Sequence, residues 1–95
     1  MPTEVRASHI LVKTEQEALN LKKKIDSGEE KFHRLAKRFS QCPSGRDGGD
    51  LGFFKRGMMV PEFEEVAFGS AIGKVSQPVK TQFGYHLILV TETRD

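Results

Sequence analysis

Two histidines stand in stretches that otherwise read as buried strands: His9 in "SHILVK", residues 8–13, and His86 in "TQFGYHLILV", residues 81–90. Side chains alternate along a strand, so His86 shares a face with Ile88 and Val90, and His9 with Leu11. Both imidazoles are thereby drawn toward the interior. A buried neutral imidazole needs one donor and one acceptor satisfied, and two histidines on neighbouring strands can do this for each other, with a hydroxyl such as Thr81 taking a remaining nitrogen. The residues alone admit two readings: two separately satisfied core histidines, or a functional pair.

Cys42 is the third chemically versatile side chain. It sits where an amphipathic stretch breaks into a glycine-rich loop, a position from which a thiol can face a cleft; it can equally be a small buried hydrophobe. A cysteine with two histidines raises nucleophilic catalysis and zinc ligation. Neither has the expected spacing: there is no C-x-x-C and no H-x-x-x-H, so no metal and no cofactor is expected. In "DLGFFKRGMMVPEF", Leu51, Met59 and Phe63 surround a strand-to-helix junction. Together with Phe83 they could line an apolar pocket, for which methionine is an adaptable wall, or they could all be plain core.

The elements that must position these residues follow from pattern. "ASHILVK" reads as a strand ending at Thr14, which with Glu17 makes a capping box that opens a helix. Ala18, Leu21 and Ile25 recur at helical spacing, and Gly28 supplies a left-handed stop. Phe32, Leu35, Ala36 and Phe39 fall at i, i+3, i+4 and i+7 of a second helix. "CPSGRDGGDLG" is a loop with a turn of helix, "LGFFK" a short strand, and "VPEFEEVAFG" a helix with Pro61 near its first position and Gly69 closing it. Phe63, Val66 and Ala67 form that helix's inner face. "VSQPVKT" and "GYHLILVTE" read as two last strands joined by a turn at Gln82, Phe83 and Gly84, with Pro78 marking an edge or a bulge. This order predicts an α+β domain with a sheet of about four strands. Periodicity leaves the strand order open.

The totals bound the function. Ninety-five residues, 37% hydrophobic and 29% charged, predict one globular domain over residues 1–95 with room for one core. Fifteen basic against 13 acidic side chains give +2, too even to imply nucleic-acid binding by bulk charge. One cysteine excludes an intrachain disulfide, and residues 1–13 lack the apolar stretch of a signal peptide. The expectation is a soluble, cytoplasmic monomer.

The ordered blocks "ASHILVK", "FHRLAKRFSQCPSGRDGGDLGFFKRGMMVPEFEEVAF" and "VSQPVKTQFGYHLILV" resemble the parvulin family of peptidyl-prolyl cis/trans isomerases, in particular its small single-domain bacterial and archaeal members. The resemblance runs from about Ala7 to Thr91. It implies a four-stranded antiparallel sheet surrounded by about four helices, with the first and last strands central and adjacent. It also implies that His9 and His86 are the family's paired histidines, set beside Cys42 beneath the catalytic pocket and linked through hydrogen bonds that involve Thr81. Leu51, Met59 and Phe63 then match the pocket for the substrate proline ring. Phe83 stands where other members carry a smaller polar residue. The implied activity is non-covalent rotation about X-Pro bonds of polypeptide substrates, assisting folding.

The phosphate-directed members carry a long basic loop between the first strand and first helix, whereas here Lys13 runs straight into Thr14. The expected substrate is therefore unphosphorylated, with an uncharged or apolar residue before the proline. Arg46, Lys55 and Arg56 are candidates for positive charge near the pocket mouth, or ordinary solvated residues. The rival reading is a chaperone-like module that holds extended proline-containing segments. Lys22, Lys23, Lys24, Lys31, Arg34, Lys37 and Arg38 form either a solvated helix face or a surface for anionic membranes, where each charge adds about 1 kcal/mol.

Overall fold

The computed structural model describes residues 2–95. Four strands, β1 (Glu4–Val12), β2 (Asp50–Lys55), β3 (Val79–Thr81) and β4 (Gly84–Arg94), form one antiparallel sheet in the order β2-β1-β4-β3. Three α-helices, α1 (Glu15–Asp26), α2 (Phe32–Phe39) and α3 (Pro61–Gly69), pack around it. The fourth helical segment is a 3-10 turn over Pro43–Asp47, the turn of helix expected inside the glycine loop.

The Thr14 capping box forms: its Oγ1 accepts the Glu17 amide at 3.1 Å and lies 3.4 Å from the Glu17 carboxylate. This cap starts α1 only two residues after β1, which leaves no room for a long loop between them. At the other end Gly28 takes φ +81°, left-handed backbone that glycine adopts without a Cβ penalty.

Two expectations need correction. "VSQPVKT" is a strand only over Val79–Thr81, with an isolated bridge at Val75–Leu89. Pro78 has no N–H to donate to the ladder, so pairing is interrupted there. Between bridge and strand the Ser76 amide donates to the Ile88 carbonyl, and the Ile88 amide donates to Ser76 Oγ. The core, expected as one, is divided by the sheet. Val5, Ala7, Phe54, Phe63, Ala67, Phe68, Ile88 and Val90 pack on the α3 side, and Ile10, Val12, Ala18, Leu21, Phe32, Leu35, Ala36 and Leu87 on the side of α1 and α2. A sheet covered on both faces buries both sets of alternating side chains, which is why His9 and Ile10 are adjacent and both buried.

The connection from α2 to β2 positions the site. Beyond Ser8 and Asp50 the regular pairing of β1 with β2 stops. Segment 40–49 takes over: the His9 amide donates to the Gly49 carbonyl (2.9 Å), the Leu11 amide to Ser40 Oγ (3.1 Å), and the Gln41 amide to the Leu11 carbonyl (2.8 Å). Gly49 has φ +90°, and a Cβ there would sit on the His9 carbonyl oxygen. The close approach that lays this segment along β1 thus requires glycine.

Candidate active site

His9 lies opposite Ile88 in the β1–β4 ladder and His86 lies opposite Leu11, so the two histidines are diagonal neighbours on one face. Their Nδ1 atoms are 2.9 Å apart and the rings stack at 5.1 Å between centroids. Thr81, at the end of β3, places Oγ1 2.7 Å from His86 Nε2. The same oxygen accepts the Phe83 amide at 3.2 Å. One proton lies between the two Nδ1 atoms and one between His86 Nε2 and the Thr81 hydroxyl, so His86 is held from both sides of its ring. His9 Nε2 is buried with no hydrogen-bond partner among the described residues.

Burial holds both imidazoles neutral. His9, 5% exposed, is pushed down from 6.5 to about 4, chiefly by loss of hydration and secondarily by repulsion from a charged His86. His86 is lowered for the first of these reasons. The Nδ1–Nδ1 contact adds a geometric constraint, since a second proton between the rings would set two N–H groups face to face.

Above this pair lies a cavity of about 510 Å³ lined by His9, Leu11, Gln41, Cys42, Pro43, Leu51, Met58, Met59, Val60, Phe63, Phe83 and His86. Phe63, from the first turn of α3, is 3% exposed and meets His9 and His86 edge to face, with centroids 5.5 and 5.4 Å away. Its ring is the wall that joins the apolar pocket to the polar floor. Every residue expected from sequence is therefore brought to one place, except that Thr81 supports His86 from below and is not part of the cavity lining. Phe83 stands at the rim, 60% exposed. Its amide bonds Thr81, a backbone role invisible in the side-chain pattern.

Leu11, Gln41, Pro43, Met58 and Val60 were missed. Leu11 could have been found, because strand alternation sets it beside His9. The others enter through the loops after α2 and β2, whose paths no local pattern specifies. No group of three metal-ligating side chains occurs among the described residues. The site offers neutral hydrogen-bonding groups beneath an apolar slot, suited to binding an apolar ring and an amide without covalent chemistry.

Comparison with known proteins agrees with this geometry. Residues 6–92 match the family model described as "Rotamase: PPIC-type PPIASE domain". The foldase protein PrsA of Geobacillus kaustophilus (strain HTA426) is 56% identical over 89 residues, which cover 93% of this chain and 31% of that protein. The crystal structure of peptidylprolyl isomerase (PrsA) from Bacillus anthracis superposes with a TM-score of 0.95 at 48% identity, covering 99% of this chain and 43% of that one. The solution structure of NmPin, the parvulin of Nitrosopumilus maritimus, gives a TM-score of 0.86 at 44% identity and is covered over 99% of its length. The chain spans about a third of the length of the curated relatives it matches. With the fold, the paired histidines and the family model in agreement, the chain belongs to the PPIC-type peptidyl-prolyl isomerases, the parvulins.

Proposed function

We propose that this chain catalyses non-covalent cis/trans rotation about X-Pro bonds in unphosphorylated polypeptides and so assists their folding. The observation that carries the reading is the apolar cavity floored directly by the neutral His9–His86 pair. An X-Pro bond isomerises unaided in tens to hundreds of seconds across a barrier of about 20 kcal/mol, because its partial double bond must twist. A catalyst has to bind the twisted amide better than either planar form, and each tenfold gain needs about 1.4 kcal/mol of such preference. Leu51, Met59 and Phe63 hold the proline ring and exclude water. Conjugation is lost as the amide turns, and the fixed dipoles of His9, His86 and Cys42 favour the altered charge on its carbonyl. No bond is broken, and the imidazoles keep their protons.

The two-residue passage from β1 to α1 supports an unphosphorylated substrate, as does the engagement of Arg56 with Glu64 at 3.5 Å and with the Phe68 ring. An apolar or uncharged residue before the proline suits the lining. Exchange-sensitive NMR on an X-Pro peptide, with catalytic protein and a matched phosphoserine-Pro peptide alongside, tests both points. Accelerated exchange of the plain peptide supports the reading, and equal or faster exchange of the phosphopeptide overturns the substrate class. A holding module would shift the cis/trans populations only stoichiometrically.

The finer expectations belong to the same proposal. Asp26 neutralises Lys22, and Glu30 lies 3.8 Å from Arg38. Lys23, Lys24, Lys31 and Arg34 have no acidic partner among the described residues, which supports contact with anionic membrane. Failure to co-sediment with anionic vesicles at low salt would refute it. A free, half-buried Cys42 suits a reducing cytoplasmic setting, to be tested by fractionation. The exposed apolar side chains Leu19, Phe39, Met58, Ile72 and Phe83 come from five separate segments, which suits a monomer, to be tested by sedimentation.

A further inference from the structure

A second cavity, of about 590 Å³, adjoins the proline pocket and shares with it the wall formed by Gln41, Cys42 and Pro43. Its far side carries Lys37 and Arg46 against a single carboxylate, Asp47. None of these three charged side chains forms an ion pair among the described residues. The cavity therefore presents two cations and one carboxylate, a net positive charge, one wall away from the site of isomerisation.

The geometry of this cavity is fixed by packing. The 3-10 turn over Pro43–Asp47 is pressed onto the end of α2, where a Cβ on Gly45 would come 2.8 Å from the Ala36 carbonyl oxygen and 3.2 Å from Ser40 Cβ. Arg46 follows Gly45 and Lys37 follows Ala36, so this contact brings the two cations to the same opening. Cys42 touches the proline pocket and Arg46 lies four residues further along the turn. At a rise of about 2.0 Å per residue in a 3-10 helix, that is about 8 Å. An extended peptide covers about 3.3 Å per residue, so the distance corresponds to two or three substrate residues.

We propose that this cavity is a substrate subsite for a carboxylate side chain, an Asp or Glu two or three positions from the proline, held by Lys37 and Arg46. It deepens the isomerase reading and rests on it. The position differs from the residue immediately before the proline, which meets the apolar pocket. The recognition is electrostatic and partly solvated, so it is modest in size and screened by salt.

The test compares two X-Pro peptides that differ only by Glu or Gln at these positions, assayed by NMR exchange on the whole chain. The ratio of kcat/KM values, Glu peptide over Gln peptide, is expected at about five at low salt and near one at high salt. Lys37→Gln with Arg46→Gln should bring the low-salt ratio to about one. Lys74→Gln with Lys80→Gln, an equal change of charge on the far segment and edge strand, should leave it unchanged. A ratio of one in the wild type, or a ratio that survives in the Lys37/Arg46 variant, overturns the subsite. Titration of each peptide into labelled protein separates this from failure of the isomerase reading. Without turnover, tighter binding of the Glu peptide, with amide shifts centred on residues 37 and 43–47, still supports the subsite, and equal binding overturns it.

Discussion

Mild acid should destabilise the fold through its histidine pair. His9 has its imidazole pushed from 6.5 down to about 4 by burial and by His86. Between those values the unfolded chain binds a proton that the folded chain does not, so stability rises with pH across the window and falls as pH is lowered through it. The full difference corresponds to about 3 kcal/mol, at about 1.4 kcal/mol per pH unit. Most of it lies below the ordinary imidazole value, so lowering the pH from roughly 7 to roughly 5 should remove about 2 kcal/mol. His86 shifts in the same direction and adds to this loss. Asp50 is held below its ordinary value of 3.8 by Arg6, so its contribution is lost only at more acid pH and does not confuse the window. The assay is urea unfolding at several pH values, for wild type and for His9→Leu. The variant has a lower baseline because His86 loses its Nδ1 partner, but its slope against pH should fall by about one proton. A wild-type stability that is flat from pH 5 to pH 7, or an unchanged slope in His9→Leu, would refute the claim that the pair is buried neutral.

Other outcomes follow from single contacts. Thr81→Val removes the hydroxyl that bonds His86 Nε2 and accepts the Phe83 amide, and should cost about 1–3 kcal/mol in chemical denaturation with a parallel fall in kcat/KM; Thr81→Ser should restore both. Cys42→Asp should keep measurable isomerase activity, because the floor acts through its polarity and no thiol bond is formed. A loss as large as that of Met59→Ala with Phe63→Ala, in a folded protein, would show instead that the thiol is specifically needed. Gly49→Ala combines φ +90° with a Cβ driven into the His9 carbonyl oxygen, and should lower stability by about 2 kcal/mol or more. If thermal melting shows Gly49→Ala as stable as wild type, segment 40–49 does not lock His9 in place.

Local pattern settled where most of the elements lie. The Thr14–Glu17 cap and the 3.6-residue spacing of α2 are encoded within a few residues of one another, and each formed, with Phe32, Leu35 and Ala36 buried and Phe39 left exposed. Alternation set His9 beside Leu11 and His86 beside Ile88, while cover on both faces buried Ile10 and Leu87 as well. Pro78 was legible as the mark of an edge or a bulge, and β3 is an edge strand, but the loss of half that strand was not legible. The family resemblance supplied the adjacency of β1 and β4 that periodicity left open. The His9–His86 hydrogen bond spans 77 positions of sequence and depends on the diagonal register of those two strands, which side-chain packing on both faces of the sheet selects. The route of segment 40–49 is likewise tertiary. It follows from a glycine contact with the His9 backbone and from the seating of Gly45 on α2, and so does the placing of Lys37 and Arg46 at one opening. Alternation and capping are properties of consecutive residues. Register, close backbone approach and the meeting of loops depend on residues far apart in the chain, and only the folded packing decides them.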